Sequence, residues 1–390
     1  MVPLGNSLAA QSAVQGDVVV LGGGLIGTAC AWRLAQRGHD VVLVDPAPGA
    51  GASYAAAGML APVSELHHGE EELLALCLLA AAGFADFASQ VSEASGLPTG
   101  YRACGTLAVA LDAGDRARLA RVRAAQTALG LEVEALSGRQ VRQLEPFLDP
   151  SVCGGTLVRG DHQVNPRELL AALRVAAERA GVRSVRALGE VLVHEGRAVG
   201  VGLAGGGELR ASLVVLATGA RAHEHVPVRP VKGQIIRLRM PAGEHVLQRT
   251  VRGLVRDREV YLVPREDGEL VVGATSEERG FDESVTAGAV HELLRDAQTL
   301  VPAVAELELV EVLARCRPGS PDNLPLIGFG PVPGLLVAAG HYRNGVLLSG
   351  LTADAVAALV SGEQVAPEVA ACDPGRFGLR AAAREEVGAR

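Results

Sequence analysis

Residues 17–21, Asp-Val-Val-Val-Leu, form a largely apolar run of strand length, the pattern of a parallel strand buried on both faces. The run meets Gly22-Gly23-Gly24-Leu25-Ile26-Gly27. Thr28–Arg37 then places Ala31, Leu34 and Ala35 at helical spacing and stops at Gly38, a glycine of the type that ends helices. A second apolar run, Val41–Val44, ends in Asp45. Further on, Leu213–Leu216 leads into Ala217-Thr218-Gly219, the pattern of a strand returning to the same sheet. Val191–Gly196 and Val199–Leu203 predict a hairpin, with Gly205–Gly207 turning the chain again. Gly334–Gly340 predicts another buried strand, followed by a glycine-containing turn at 341–345 and a helix from about Val346 to Val360.

Between these pieces lies different material. Residues 101–147 predict a strand at Gly105–Ala110, an Arg-rich helix around Gly114–Leu129 and a short polar linker. Residues 226–316 predict antiparallel strands at Gly233–Arg239, Val260–Pro264, Leu270–Gly273 and Leu307–Leu313, with a helix near Ala287–Thr299. Asn165-Pro166-Arg167-Glu168 supplies an N-cap, an N1 proline and a capping glutamate for a helix to about Ala180. Glu70-Glu71-Glu72 marks the solvated start of another. The expected fold class is α/β: a discontinuous Rossmann-type nucleotide domain (17–100, 148–225 and 318–365), interrupted by a strand-rich α+β substrate domain (101–147 and 226–317). Residues 1–16 and 366–390 are expected to be flexible ends.

Composition narrows the function. A chain of 390 residues fits about two domains, and 48% hydrophobic with 21% charged residues specifies a folded chain with a large core. A net charge of −8 gives no global basic field for nucleic acid or anionic lipid. Mean hydropathy is +0.24. The longest apolar runs, such as Leu73–Ala85, fall short of the roughly 20 residues of a spanning helix, so no membrane role is expected. The six cysteines show no CxxC, and the N-terminus carries neither basic residues nor an apolar core, which together predict reduced thiols and a cytoplasmic address. His67-His68 and His223-Glu224-His225 lack a third ligand at metal-site spacing, so no metal is expected. Of 36 basic residues, Lys232 is the sole lysine.

The opening βαβ unit carries the sharpest chemistry. Gly22 permits the tight turn, Gly24 lets backbone approach a pyrophosphate, and Gly27 lets helix and strand pack closely; the helix N-terminus offers N–H groups to phosphate oxygens. Asp45, 23 residues after Gly22, is placed to accept hydrogen bonds from a ribose diol, and its charge disfavours a 2′-phosphate, so FAD or NAD is expected over NADP. The following Pro46–Ser53 and Tyr54–Pro62 are dense in small residues, which lets backbone pass close to a bulky planar ligand.

These segments, in their order, resemble the D-amino-acid oxidase superfamily of FAD amine oxidases, and within it the glycine-oxidase branch of thiamine-thiazole synthesis. The resemblance runs from about residue 17 to 365. Its anchors are residues 22–27, 55–60 (AAAGML), 231–234 (VKGQ), 261–265 (YLVPR), 273–275 (GAT), 317–322 (RPGSPD) and 340–347 (GHYRNGVL). It implies non-covalent FAD held by Leu25, Ile26, Asp45, Pro46, Ala52, Ser53, Ala57, Gly58 and Met59. Val191 falls at the adenine, and His341, Tyr342, Arg343, Asn344, Gly345, Val346 and Leu347 at the flavin.

It further implies a small amino-acid substrate bound by Tyr261, Arg317 and Arg343, with O2 as partner, and a homo-oligomer (dimer or tetramer). The guanidinium fork matches a carboxylate, as such a substrate requires. The implied reaction is oxidation of an amine such as glycine, sarcosine or a small D-amino acid to the imine, with H2O2 formed from O2. A dehydrogenase of the same fold, passing electrons to quinone or a carrier, is the alternative, and a flavin-binding module without activity is disfavoured by the two arginines. The resemblance breaks at Leu313-Ala314-Arg315-Cys316, where Trp-Ala-Gly-Leu is usual, and at Glu259 and Ser276. Cys316 lies near the position where related sarcosine oxidases attach flavin covalently; it is expected here to be a core thiol. His341 is expected to belong to the flavin loop rather than to act as a base.

Overall fold

A computed structural model describes residues 16–241 and 243–379. The opening segment folds as β1 (Val18–Leu21), α1 (Leu25–Gln36) and β2 (Val41–Val44), followed by a short helix α2 (Ala52–Ala55) and a long one, α3 (Glu71–Ser95). β1 and β2 are the fourth and fifth strands of a six-stranded sheet ordered Leu326–Phe329, Leu335–Ala339, Leu213–Leu216, β1, β2 and Arg183–Val185. All neighbours are parallel except the first pair.

The uninterrupted apolar runs follow from double-sided burial. Val18, Val20, Val41 and Leu43 face a core shared with α1, α3 and the helices Pro166–Arg179 and Ser349–Val360. Val19, Leu21, Val42 and Val44 face the opposite way, onto Ala198, Val201 and Leu209 of a three-stranded antiparallel sheet. Trp32 of α1 is buried with its ring centroid 6.2 Å from that of Phe87 on α3.

The second large sheet has eight strands, ordered Glu308–Gly319, Arg229–Arg239, Glu269–Gly273, Arg258–Pro264, Thr250–Val255, Thr106–Ala110, Gly154–Val158 and Glu134–Ser137. One face packs on the helix Ala287–Leu300. The other turns Ile235, Val263, Val271 and Leu313 toward Ala55, at the end of α2, and Ala57 just after it. The ligand cavity lies on that second face.

Several expectations are corrected. Gly154–Val158, assigned from sequence to the nucleotide unit, pairs with Thr106–Ala110 and Glu134–Ser137, because those strands supply its backbone partners. The strand expected at Leu307–Leu313 runs on to Gly319 along the whole of Arg229–Arg239, which puts Cys316 and Arg317 within the sheet. The helix expected from about Val346 starts at Ser349, after a 3-10 turn at Tyr342–Asn344.

The expected flexible end 366–390 is packed up to residue 379. Val369 and Cys372 are buried, and the Ile327 N–H donates to the Cys372 carbonyl at 2.9 Å. Residues 1–15 and 380–390 lie outside the described residues. α3 exceeds the apolar lengths expected from sequence and could cross a bilayer by length and composition alone, yet Leu76, Phe84, Phe87 and Val91 on it are buried in the core under the six-stranded sheet. All six cysteines are free.

Candidate active site

A cavity of 630 Å³ runs from the carboxyl ends of β1 and β2 to the exposed face of the eight-stranded sheet. This is where an open α/β sheet presents helix N-termini and loops to a ligand. At the first end stand Gly22, Gly24, Leu25, Ile26, Asp45 and Pro46. Gly22 has φ of 113°, and a Cβ there would collide with the Ala217 carbonyl. Gly27 lines nothing; a Cβ on it would strike the Gly22 carbonyl, so it serves the helix–turn packing assigned to it. α1 has no side-chain cap at Gly24, and the Leu25 N–H donates to Ser53 Oγ at 3.1 Å. The first turn of α1 therefore opens toward the cavity as an anion site.

Asp45 does more than the motif requires. Its Oδ2 accepts the Gly23 N–H at 2.6 Å and its Oδ1 accepts the Ala47 N–H at 2.7 Å, which fixes the glycine turn to the loop after β2. Val191 is not in the cavity wall. It pairs with Val201 and packs against the core, while its neighbours Gly189 and Glu190 line the cavity.

The middle is walled by Ala52, Ser53, Ala57, Gly58 and Met59. Arg265, an anchor of the resemblance, braces this segment from below. Its guanidinium donates to the Ala57 carbonyl, to Val164 O at 2.9 Å and to Gln163 Oε1 at 2.7 Å. Thr218, at the end of the strand Leu213–Leu216, also lines the cavity, and its buried hydroxyl has no hydrogen-bond partner there.

Of the turn 341–347, His341, Tyr342, Arg343, Gly345 and Val346 line the cavity. Leu347 instead packs inside the helical core, and Asn344 faces a separate small void beside Pro62 and Glu65. Asn344 ends the 3-10 turn Tyr342–Asn344, and Leu347 lies beyond it, just before the helix Ser349–Val360. His341 is buried, with Nε2 2.9 Å from Thr352 Oγ1, and burial pushes its pKa down to about 3. It is neutral at physiological pH and holds the turn.

Two glycines shape the far end. Tyr261 lies directly opposite Gly273 in the sheet, and a Cβ on Gly273 would overlap the phenol. Arg317 arches over Gly233, where a Cβ would overlap the guanidinium, and its Nη1 donates to the Thr275 carbonyl at 3.1 Å. Burial raises the Tyr261 pKa, with the Arg317 charge opposing, so the phenol stays protonated and able to donate. Arg343 is exposed, its guanidinium 4.9 Å from the Tyr342 ring centre. The cavity thus brings Tyr261, Arg317 and Arg343 together.

Sequence reasoning missed Glu65, Gly233, Thr218, Phe281 and Glu283 as lining residues. Glu65 pairs with Arg252 at 2.6 Å, and its loop is pinned by the buried Asp161, which accepts the Val63 and Ser64 N–H groups at 3.3 and 2.6 Å. Burial pushes the Asp161 pKa up to about 6. No local pattern marks Glu65. Gly233 had a signal, since it lies inside the anchor 231–234. Among the described residues, no three His, Cys, Asp or Glu side chains converge as a metal site would require.

The uncapped helix, the glycine turn and the orphaned Thr218 hydroxyl fit a phosphate-bearing dinucleotide, and comparison with known proteins agrees. The family model described as FAD dependent oxidoreductase matches residues 17–359. The bifunctional protein ThiO/ThiG of a Synechocystis species is 36% identical over 373 residues, covering 93% of this chain and 54% of that protein. The chain therefore spans about half the length of such bifunctional relatives. The putative thiamine biosynthesis oxidoreductase ThiO of Rhizobium etli is 33% identical, with 90% of this chain and 98% of that one covered. The glycine oxidase of Geobacillus kaustophilus is 35% identical over 91% of this chain and 95% of its own length. A crystal structure of glycine oxidase from that organism superimposes with a TM-score of 0.85 over 93% of this chain and 99% of that one. With the cofactor cradle, the order of the motifs and the match over most of its length in accord, the chain belongs to the FAD-dependent oxidoreductase family.

Proposed function

We propose that the protein oxidises glycine, and more slowly sarcosine or small D-amino acids, to the imine, with O2 as electron acceptor and H2O2 as product. One observation carries this reading. Arg317, braced by the Thr275 carbonyl over Gly233, stands beside a protonated Tyr261 at the end of a cavity whose other end is the cofactor cradle. The guanidinium takes the substrate carboxylate through charge-assisted hydrogen bonds, and the Tyr261 hydroxyl donates to the same group. Arg343 adds a second cation at the flavin turn. Ile235 and Met59 supply apolar wall, which keeps water from the clamp and strengthens it.

Bound FAD supplies the two-electron acceptor for the substrate α-carbon and returns those electrons to O2. The protein's share is to position the amino acid, and neutral His341 leaves that work to the clamp and the wall. The name of the Rhizobium etli relative supports a product destined for thiamine biosynthesis, which for glycine is the imine. The free cysteines suit a cytoplasmic enzyme, which we take to act as a homo-oligomer.

The test is O2 uptake with peroxide detection across a panel of amines. Glycine should give the highest kcat/KM, and flavin reduction without O2 uptake would contradict the oxidase reading.

FAD is held without a covalent bond in this proposal. Cys316 lines the cavity rather than a hydrophobic core, yet it is little exposed, its Sγ donates to the Gly280 carbonyl at 3.5 Å, and burial raises the thiol pKa, which keeps it a protonated thiol. Acid or heat should release all the flavin into the supernatant. Flavin fluorescence migrating with the denatured chain would contradict this.

A further inference from the structure

Arg315, where the resemblance has a glycine, plays no part in the substrate clamp. It lies opposite Gly233 in the sheet, and the space over that glycine is taken by Arg317, two residues further along the same strand. Its guanidinium joins three segments. Nε donates to the Ala50 carbonyl at 2.8 Å, in the loop after β2, and Nη1 donates to the Ala314 carbonyl at 2.7 Å. The Glu283 carboxylate is 3.5 Å from Nη1 and also accepts the Cys316 N–H at 3.3 Å. Ala50, Phe281, Glu283 and Arg315 all line the cavity.

The strap that carries Glu283, residues 277–284, is anchored from beneath. Lys232, fully buried, donates from Nζ to Asp282 Oδ2 at 2.9 Å and lies 3.5 Å from Ser284 Oγ. Glu277 and Lys232 exchange both backbone hydrogen bonds at 2.9 Å. The chain's single lysine is thus spent on holding this strap, where a compact ammonium fits better than a planar fork. Loop 46–51, in contrast, is made of small residues closed on itself by the Asp45–Ala47 and Ala47–Ala50 hydrogen bonds. Arg315 ties that loop to the anchored strap.

We propose that Arg315 is a cofactor-retaining latch, joining loop 46–51 to the strap 277–284 across the cavity that takes FAD, so that FAD leaves only when the contact opens. The inference rests on FAD occupying this cavity. A contact that must break before release acts on the dissociation rate.

Holoenzyme freed of excess FAD is diluted, and the rise of free-flavin fluorescence gives the release rate directly, without turnover. Arg315→Leu removes both arms while keeping an apolar stem, and should release FAD about tenfold faster, the scale of one charge-assisted contact. Glu283→Gln keeps the shape, weakens one arm, and should accelerate release about threefold by the same scale. The double variant should be no faster than Arg315→Leu, because the two side chains act through one contact. If Arg315→Leu does not fold, Glu283→Gln alone carries the test.

Parental release rates in every folded variant would overturn the latch. So would a raised KM for glycine at saturating FAD with unchanged release, which would assign Arg315 to the substrate. A parent protein that retains no FAD would overturn the cofactor reading itself, a failure distinct from that of the latch.

Discussion

Replacing Arg317 with alanine should lower kcat/KM for glycine by about 30-fold to several thousand-fold. Truncating one partner of a desolvated charge pair costs about 2–5 kcal/mol, and the substrate carboxylate would be left in the cavity without its fork. Arg317→Lys should recover only part of the loss, since an ammonium cannot reproduce the two parallel hydrogen bonds. The deficit should shrink for amines without a carboxylate, which never used the contact. Arg343→Ala should also weaken glycine binding, with some disturbance of flavin, because its neighbours form the cofactor turn. Steady-state kinetics on glycine and on a simple alkylamine separate these outcomes. Equal losses on both substrates would remove Arg317 from the clamp.

The second large effect is expected within the glycine motif, where two positions should fail in different ways. A Cβ at Gly27 has backbone against it, the Gly22 carbonyl, and cannot be relieved by a rotamer change. Gly27→Ala should therefore destabilise the apoprotein by about 3 kcal/mol or more, the upper range for overpacking, and FAD affinity should fall with it. At Gly24 the nearest atom to a Cβ is Ser53 Oγ at 3.2 Å, a side chain that can move. Gly24→Val should leave the melting temperature of the apoprotein close to the parent's while weakening FAD binding, because the added bulk occupies the pyrophosphate approach. Melting of apoprotein and FAD titration check both. Equal apoprotein stabilities for the two variants would contradict the division of roles.

Much of this was legible in the chain because the signals are local. Residues 17–45 encode strand, turn, helix and acid within one βαβ unit, and each sits where the spacing places it. Tyr261, Arg317 and Arg343 came from motif order, and the structure explains the company they keep: Gly273 and Gly233 are the vacant neighbours that let two large side chains lie flat on a sheet.

What was not legible depends on pairing between distant segments. Glu65 reaches the cavity only because Asp161 and Arg252, far along the chain, hold its loop. Gly154–Val158 carries no local mark of its sheet, which is decided by pairing with Thr106–Ala110. Val191, Asn344 and Leu347 sit in the expected segments without lining the cavity, since the side-chain direction within a strand or turn is set by tertiary packing. Lys232 stood out by composition, yet it is buried and its partner Asp282 is 50 residues away.

The most direct test of the central claim is anaerobic mixing of the FAD-loaded protein with glycine, following the flavin's visible absorption. The account predicts rapid bleaching by glycine, slower bleaching by sarcosine and small D-amino acids, and strongly retarded bleaching by glycine in Arg317→Ala. A flavin that stays oxidised with every one of these amino acids, or that bleaches at the parental rate in Arg317→Ala, would contradict it.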